Sequence, residues 1–221
     1  MRKRFLLFCL FSLSSSVFSL DLFHEVSAGY HGDLGVSMAL RLEDPTPDFP
    51  FFAQLRGGYI YQGDPGNATE ARKIFINDNS GGNIEKYGES YLIGIDLGWK
   101  WREMENYSVE FILSGLWNYY SAHYTFIGNN EAFSVTSSPF GIGAGAAMRI
   151  PLSNTDSFFM LKGGAEYFFK SRLDAHGTYF YSPDGDDDRP RNNYTYEDAD
   201  AAVNQPELRT YLQLGVLYPI G

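Results

Sequence analysis

Three groups of residues in this chain could do chemistry. Ser121 and His123 stand two apart, with Glu131 a little further on. A hydrolase needs a serine, an imidazole and a carboxylate within hydrogen-bond reach of one another. Nothing in the spacing fixes a third member beside Ser121 and His123, so the chain is not expected to be an enzyme. The run Asp184-Gly185-Asp186-Asp187-Asp188 gathers the hard oxygen ligands that suit calcium. It lacks the full spacing and terminal glutamate of an EF-hand loop. Asp184, Asp186 and Asp188 are therefore weak metal candidates, a solvated acidic tip is expected, and no cofactor is implied. His24, His31 and His176 are scattered and read as ordinary. The third group is a set of charges recurring at even spacing, whose meaning depends on the elements that carry them.

Composition limits those elements. The 221 residues include 27 Asp+Glu against 17 Lys+Arg, a net charge of −10. A chain without a basic surface has nothing to displace counterions from phosphates, so nucleic acid is not an expected partner. The lone cysteine, Cys9, excludes an internal disulfide framework and a Cys-based zinc site. With 44% hydrophobic and 17% aromatic residues, a folded, aromatic-rich β domain is expected.

The start of the chain is set apart. Arg2, Lys3 and Arg4 precede an apolar run from Phe5 to Leu13, then small polar residues, then Val17-Phe18-Ser19. That order predicts a secretory signal peptide over residues 1–19, leaving residues 20–221 as the β domain. The apolar run is too short to span a bilayer as a helix. Cys9 follows Phe8 rather than a small residue, which argues against lipidation.

Strict alternation organises the rest, which is the strand signal. Eight windows show it: residues 22–31, 34–43, 51–61, 91–102, 107–119, 139–150, 157–170 and 207–220. In the clearest, Tyr91, Ile93, Ile95, Leu97, Trp99 and Trp101 share one face, and Leu92, Gly94, Asp96, Gly98, Lys100 and Arg102 the other. Every Asp, Glu, Lys and Arg in the windows falls on the non-apolar face. The basic ones are Arg41, Arg56, Lys100, Arg102, Arg149, Lys162, Lys170 and Arg209; the acidic ones are Glu25, Glu43, Asp96, Glu110, Glu166 and Glu207.

Alternation alone fits a soluble sandwich with a wet charged face, or a barrel with lipid outside and charges within. Three features favour the barrel. The charged face is rich in Gly, Ala and Ser, which suits a crowded interior. Aromatics collect at both ends of the apolar faces: Phe51, Trp99, Trp101 and Tyr107 at one end, Tyr30, Tyr59, Tyr61, Tyr91, Trp117, Tyr119 and Phe169 at the other. Such paired girdles belong at membrane interfaces. Connections also alternate. Links at 44–50, 104–106 and 151–156 are short, whereas Gln62 to Gly88, Ser121 to Ser138 and Ser171 to Pro206 are long. The turn at Gly32-Asp33 is the exception, a short outer connection.

Hydrocarbon offers no hydrogen-bond partners, so a sheet crosses it only when closed on itself. The expectation is an all-β fold: an eight-stranded antiparallel transmembrane β-barrel with short periplasmic turns and long outer loops. Eight strands enclose an interior just filled by side chains. Near-balanced inward charges then predict an ion-paired plug, with a narrow channel as the alternative.

The chain resembles the small eight-stranded outer-membrane barrels of bacteria, the OmpA-transmembrane, OmpX and OmpW group. Pro139-Phe140-Gly141-Ile142-Gly143-Ala144-Gly145 is similar to a Pro-aromatic-x-Gly-x-Gly strand of that group. Gln213, Gly215, Tyr218 and Ile220 resemble the C-terminal signal read by the barrel-insertion machinery; the usual final Phe is replaced by Tyr218-Pro219-Ile220-Gly221. The resemblance implies outer-membrane lipids and the insertion machinery as partners. The expected role is display of surface loops toward an extracellular ligand, or envelope stability; the alternative is an OmpW-like channel for small or hydrophobic solutes. The aromatics Tyr179, Phe180, Tyr181, Tyr194 and Tyr196 would extend the strands outward or present an adhesive surface.

Overall fold

The computed structural model describes residues 20–43, 50–78, 81–153, 155–175, 179–185 and 194–220. The predicted signal peptide, Asp186 and Asp188 lie outside these residues.

Eleven strands and two helices are described: β1 (Asp21–His31), β2 (Leu34–Glu43), β3 (Phe51–Gln62), α1 (Ala68–Phe75), β4 (Asn83–Met104), β5 (Tyr107–Ile127), β6 (Glu131–Ser137), β7 (Phe140–Pro151), β8 (Phe158–Phe168), β9 (Leu173–Ala175), β10 (Tyr179–Tyr181), α2 (Tyr196–Val203) and β11 (Leu208–Pro219). Eight of the strands pair antiparallel in a ring, in the order β1-β2-β3-β4-β5-β7-β8-β11. β11 returns to β1, with Val216 opposite Val26, so the ring has no free edge. Pro219 donates nothing to the ladder, but Ile220 N–H reaches Leu22 O at 2.8 Å and extends the pairing past it.

The exposure of the two faces decides which side of the pleat is outside. Met38, Leu97 and Leu113 are 68%, 62% and 67% exposed, whereas Arg41, Asp96 and Glu110 are at most 1% exposed. A soluble sandwich would show the reverse. Gly98 shows how tightly the inside is filled: a Cβ there would collide with the Phe52 ring. Trp99 and Trp101 flank Phe111 at one rim, while Tyr59, Tyr91 and Tyr119 form a row at the other.

Six of the eight ring strands keep close to their expected windows, but β4 and β5 run 22 and 21 residues, far past theirs. The loop expected from Ser121 to Ser138 is largely strand. β6 and β7 pair with β5 in one continuous register, Ser137 opposite Tyr120 and Phe140 opposite Trp117, broken only at Ser138-Pro139. Beyond that break β6 leaves the ring and pairs with β9, which pairs with β10.

Along β5 the apolar phase inverts toward the C-terminal end of the strand. Below, odd positions such as Phe111 and Leu113 are exposed and apolar; above, Tyr120, Ala122, Tyr124 and Phe126 on the even face are at most 1% exposed. They form a core with Phe133, Val135, Leu173, Tyr181 and the two helices. The long connections therefore fold into a cap at the end of the barrel opposite the short turns. α1 begins at Asn67, whose side chain accepts from Thr69 and Glu70 N–H, and buries Ala68, Ala71, Ile74 and Phe75. α2 begins with a Thr195–Asp198 capping box and buries Tyr196, Ala199, Ala202 and Val203. Gly66, at φ +107°, lets the chain pass so close to Ala202 that a Cβ would strike its carbonyl.

Candidate functional site

The strongest concentration of chemistry-bearing side chains is the barrel interior. Alternation fixes their direction, and strand register fixes their neighbours. Near the end that carries the short turns, Arg41 bridges two carboxylates. Its Nη1 and Nη2 donate to Glu110 at 2.7 Å, and Nη2 also donates to Glu43 at 2.7 Å. Arg149 donates to Glu43 at 2.9 Å, and Lys100 lies 3.4 Å from the same carboxylate. Both guanidinium groups sit over rings, Arg41 over Phe52 and Arg149 over Phe158, each 3.5 Å from the centroid. The rings exclude water, and each buried charge keeps an opposite charge in contact.

Toward the outer half, Arg56 links Asp96 at 3.1 Å and Glu166 at 3.0 Å. Gln54 donates to Asp96 at 2.7 Å, and His31 Nε2 lies 2.6 Å from Glu166. Between the two groups, Lys162 donates to Glu25. Arg209 has no carboxylate in contact among the described residues; it donates to Ser90 at 2.6 Å and faces Phe168. Apolar clusters fill the remaining space. Phe23, Phe52, Ile112, Ala147, Met160 and Leu217 lie together, and Leu92, Leu116 and Phe168 form a second group.

All ten charges predicted for the lumen network point into the barrel, and nine of them form ion pairs there. Three other charges expected to face inward do not. A bulge at Trp101 shifts the register between Lys100 and Arg102 and leaves Arg102 exposed. Lys170 and Glu207 fall beyond the ends of β8 and β11 and are exposed, with Lys170 3.8 Å from Asp200. His31 is a site residue that the scattered histidines concealed. Its odd position on β1 was the available signal, because it shares a face with Glu25.

Of the C-terminal signal, Gln213 points into the lumen beside Ser37 Oγ at 3.4 Å, and Gly215 packs against Ser27. Tyr218 and Ile220 face outward, 40% and 37% exposed. Of the acidic run, Asp184 accepts a hydrogen bond from Ser182. No group of metal-ligating side chains occurs among the described residues.

The cap carries its own polar contacts. Arg72 is fully buried yet donates to Glu131, which is thereby removed from the neighbourhood of His123 expected from sequence. Lys86 donates to Asp64 at 2.6 Å, and this bond holds the Asp64 carboxyl below its usual range. Burial pushes the Tyr196 phenol up to about 12 and raises the Asp200 carboxyl against the pull of Lys170. Tyr181 and Tyr196 are buried in the cap core rather than presented as an adhesive surface. Ser121 is buried, while His123 bonds Glu89 and Ser134 instead.

The mouth on the short-turn side opens into a cavity of about 590 Å³ lined by Glu43, Lys100, Glu103, Arg149 and Asp156 among others. Within its wall Arg149 donates to Glu43.

A closed ring with charge inside, apolar residues outside and aromatic rims defines the architecture of an outer-membrane β-barrel. The chain is similar to a major outer membrane protein from Thermus thermophilus, at TM-score 0.72 and 21% identity, covering 91% of this chain and 100% of that one. No protein-family model matches the chain, and no curated protein matches it.

Proposed function

We propose that this protein resides in the outer membrane as a closed barrel whose function is to hold a folded cap at the cell surface. The observation that carries this reading is the union of the three long outer connections into one hydrophobic core, seated on a lumen filled by ion pairs. Side chains fill the interior at this strand number, and paired buried charges resist hydration only while their partners stay in place. The lumen on this reading is a structural plug. The cap then meets an extracellular ligand or braces the envelope, with outer-membrane lipids around the belt and the insertion machinery reading the C-terminal strand.

Planar-bilayer recording tests the plug. The folded protein is expected to give no reproducible single-channel steps; regular steps would establish a conducting path and overturn it. A deletion strain complemented with the full chain or a cap-shortened chain tests display. If the shortened chain restores surface binding and envelope integrity as well as the full chain does, the cap has no such role.

A further inference from the structure

Arg209 is 3% exposed and, among the described residues, is the inward charge without an ion pair. Its register partner Glu166 is already engaged by Arg56 at 3.0 Å and by His31 at 2.6 Å. The Arg209 guanidinium instead donates from Nη2 to Ser90 Oγ at 2.6 Å, and its Nε and Nη1 have no hydrogen-bond partner among the described residues. Other buried polar atoms beside it share that condition. Ser90 on β4 and Ser137 on β6 stand opposite Tyr120 on β5 from its two sides. Asn118, one inward position further along β5, is the diagonal neighbour of both. Asn118 Oδ1 and Nδ2 and Ser137 Oγ are unpartnered among the described residues, although Asn118 is 0% and Ser137 3% exposed. Buried polar groups are as a rule hydrogen-bonded, so five such atoms in one place point to a bound species.

These groups form one polar layer between the plug and the cap. Leu92, Leu116 and Phe168 make its floor, with the Phe168 ring centroid 5.4 Å from the Arg209 guanidinium carbon. The Tyr120 hydroxyl marks its roof, donating to Val203 O of α2 at 3.1 Å. At the side, where β6 leaves the ring, a cleft of about 280 Å³ is lined by Ser137, Ser138, Ser171 and Arg172 among others. Arg172 there donates to Asp174 at 2.8 Å. Ser137 belongs both to the cleft wall and to the polar layer, so the layer has a way in that does not pass through the plug.

Water there would satisfy hydrogen bonds but not the charge. A buried guanidinium with no anion in contact carries a severe desolvation cost. Its two free nitrogens, the Asn118 amide and the Ser137 hydroxyl are all donors that can converge on one acceptor. Diagonal register neighbours stand about 7–8 Å apart, the span of one ion with a donor on either side. A single positive charge in a layer of neutral side chains calls for a single negative charge.

We propose that Arg209, Asn118 and Ser137 form a binding site for a small monovalent anion of chloride size, held beneath the cap and reached through the cleft where β6 leaves the ring. The ion neutralises Arg209 as Glu43 and Glu110 neutralise Arg41. Because Tyr120 in the same layer bonds α2, the ion also steadies the junction of ring and cap.

The test uses the full chain in detergent, shown to be folded by heat-modifiable gel migration. Sodium chloride replaces sodium gluconate, an anion too large for the site, at constant ionic strength. The urea midpoint is expected to rise with chloride, by equal steps per tenfold increase once chloride exceeds its dissociation constant. Crystals grown in sodium bromide are expected to show an anomalous peak within hydrogen-bond distance of Arg209 Nε or Nη1. Arg209→Gln removes both signals, and Ser137→Ala lowers the apparent chloride affinity by about tenfold or more. Ser90→Asp sets a carboxylate where Arg209 now meets a hydroxyl. It is expected to lose both signals while holding, in gluconate, the midpoint that the unaltered chain reaches only in chloride. Should Arg209→Gln fail to fold, Ser90→Asp decides: loss of both signals supports the site and their persistence overturns it. Equal midpoints in chloride and gluconate with no bromide beside Arg209 would mean a layer that holds water alone, and would overturn the proposal. A chloride response or bromide peak that survives Arg209→Gln does the same.

Discussion

Lys162 and Glu25 pair with each other deep in the barrel, 4% and 2% exposed. Removing one partner of such a pair strands the other charge and costs about 3–5 kcal/mol, whereas replacing both with apolar residues of similar volume is close to neutral. Lys162→Met is therefore expected to lower the urea midpoint of the detergent-folded barrel by a stability loss of that size, and Lys162→Met with Glu25→Leu to recover most of it. Equal losses in the single and double variants would show that packing, not pairing, holds this layer. Asp200 carries a titration with the opposite origin. Burial raises its carboxyl, so its contribution to the folded cap is fully present below the ordinary aspartate value of about 3.9 and is lost as pH rises through the raised value. Asp200→Asn is expected to make the cap more protease-resistant at neutral pH and to flatten the pH dependence above that ordinary value. Unchanged proteolysis profiles would remove this assignment. Inward charges such as Arg56 and Asp96 were legible in sequence because the pleat alone sets their direction; His31 was legible only in principle.

The elements show where a local rule stops being local. β5 keeps its period of two from end to end, yet its apolar phase switches from odd to even near Tyr119 and Tyr120. On the proposed membrane placement, the outside of the lower strand is oil and its inside polar, whereas above it the outside is water and the inside a core. An apolar stripe followed along one face therefore ends at that point, although the strand does not. The helices were concealed by brevity, although Asn67 before α1 and Thr195 three residues ahead of Asp198 before α2 were readable caps. Because the cap has its own core, damage to it should leave the ring intact. Phe75→Ala and Tyr124→Ala remove fully buried side chains, each costing about 3–5 kcal/mol for Phe and comparably for Tyr. The expected outcome is rapid proteolysis within residues 62–90 and 171–206 while the barrel keeps its heat-modifiable migration. Loss of that migration would mean that cap and ring fold as one unit.

At the scale of the molecule, closure rests on β1 meeting β11. Ala28 and Leu214 are register partners on that seam, within the spacing a disulfide can bridge. In a Cys9→Ser background, cysteines at both positions are expected to cross-link, and the unfolded oxidised chain should migrate faster than the reduced one. Failure to cross-link in the folded protein would contradict the ring. Alternation, girdle aromatics and the segregation of charge determined from sequence alone that these strands form a sheet with an apolar outer face and a charged inner one, because each is a property of neighbours along one chain in a two-sided environment. Only the tertiary structure decided which charge meets which, that the long connections share a core, and that His123 meets Ser134 rather than acting with Ser121. Glu25 and Lys162 lie 137 positions apart. Such partners are chosen by the shear and register of a closed sheet, and no window of sequence contains both.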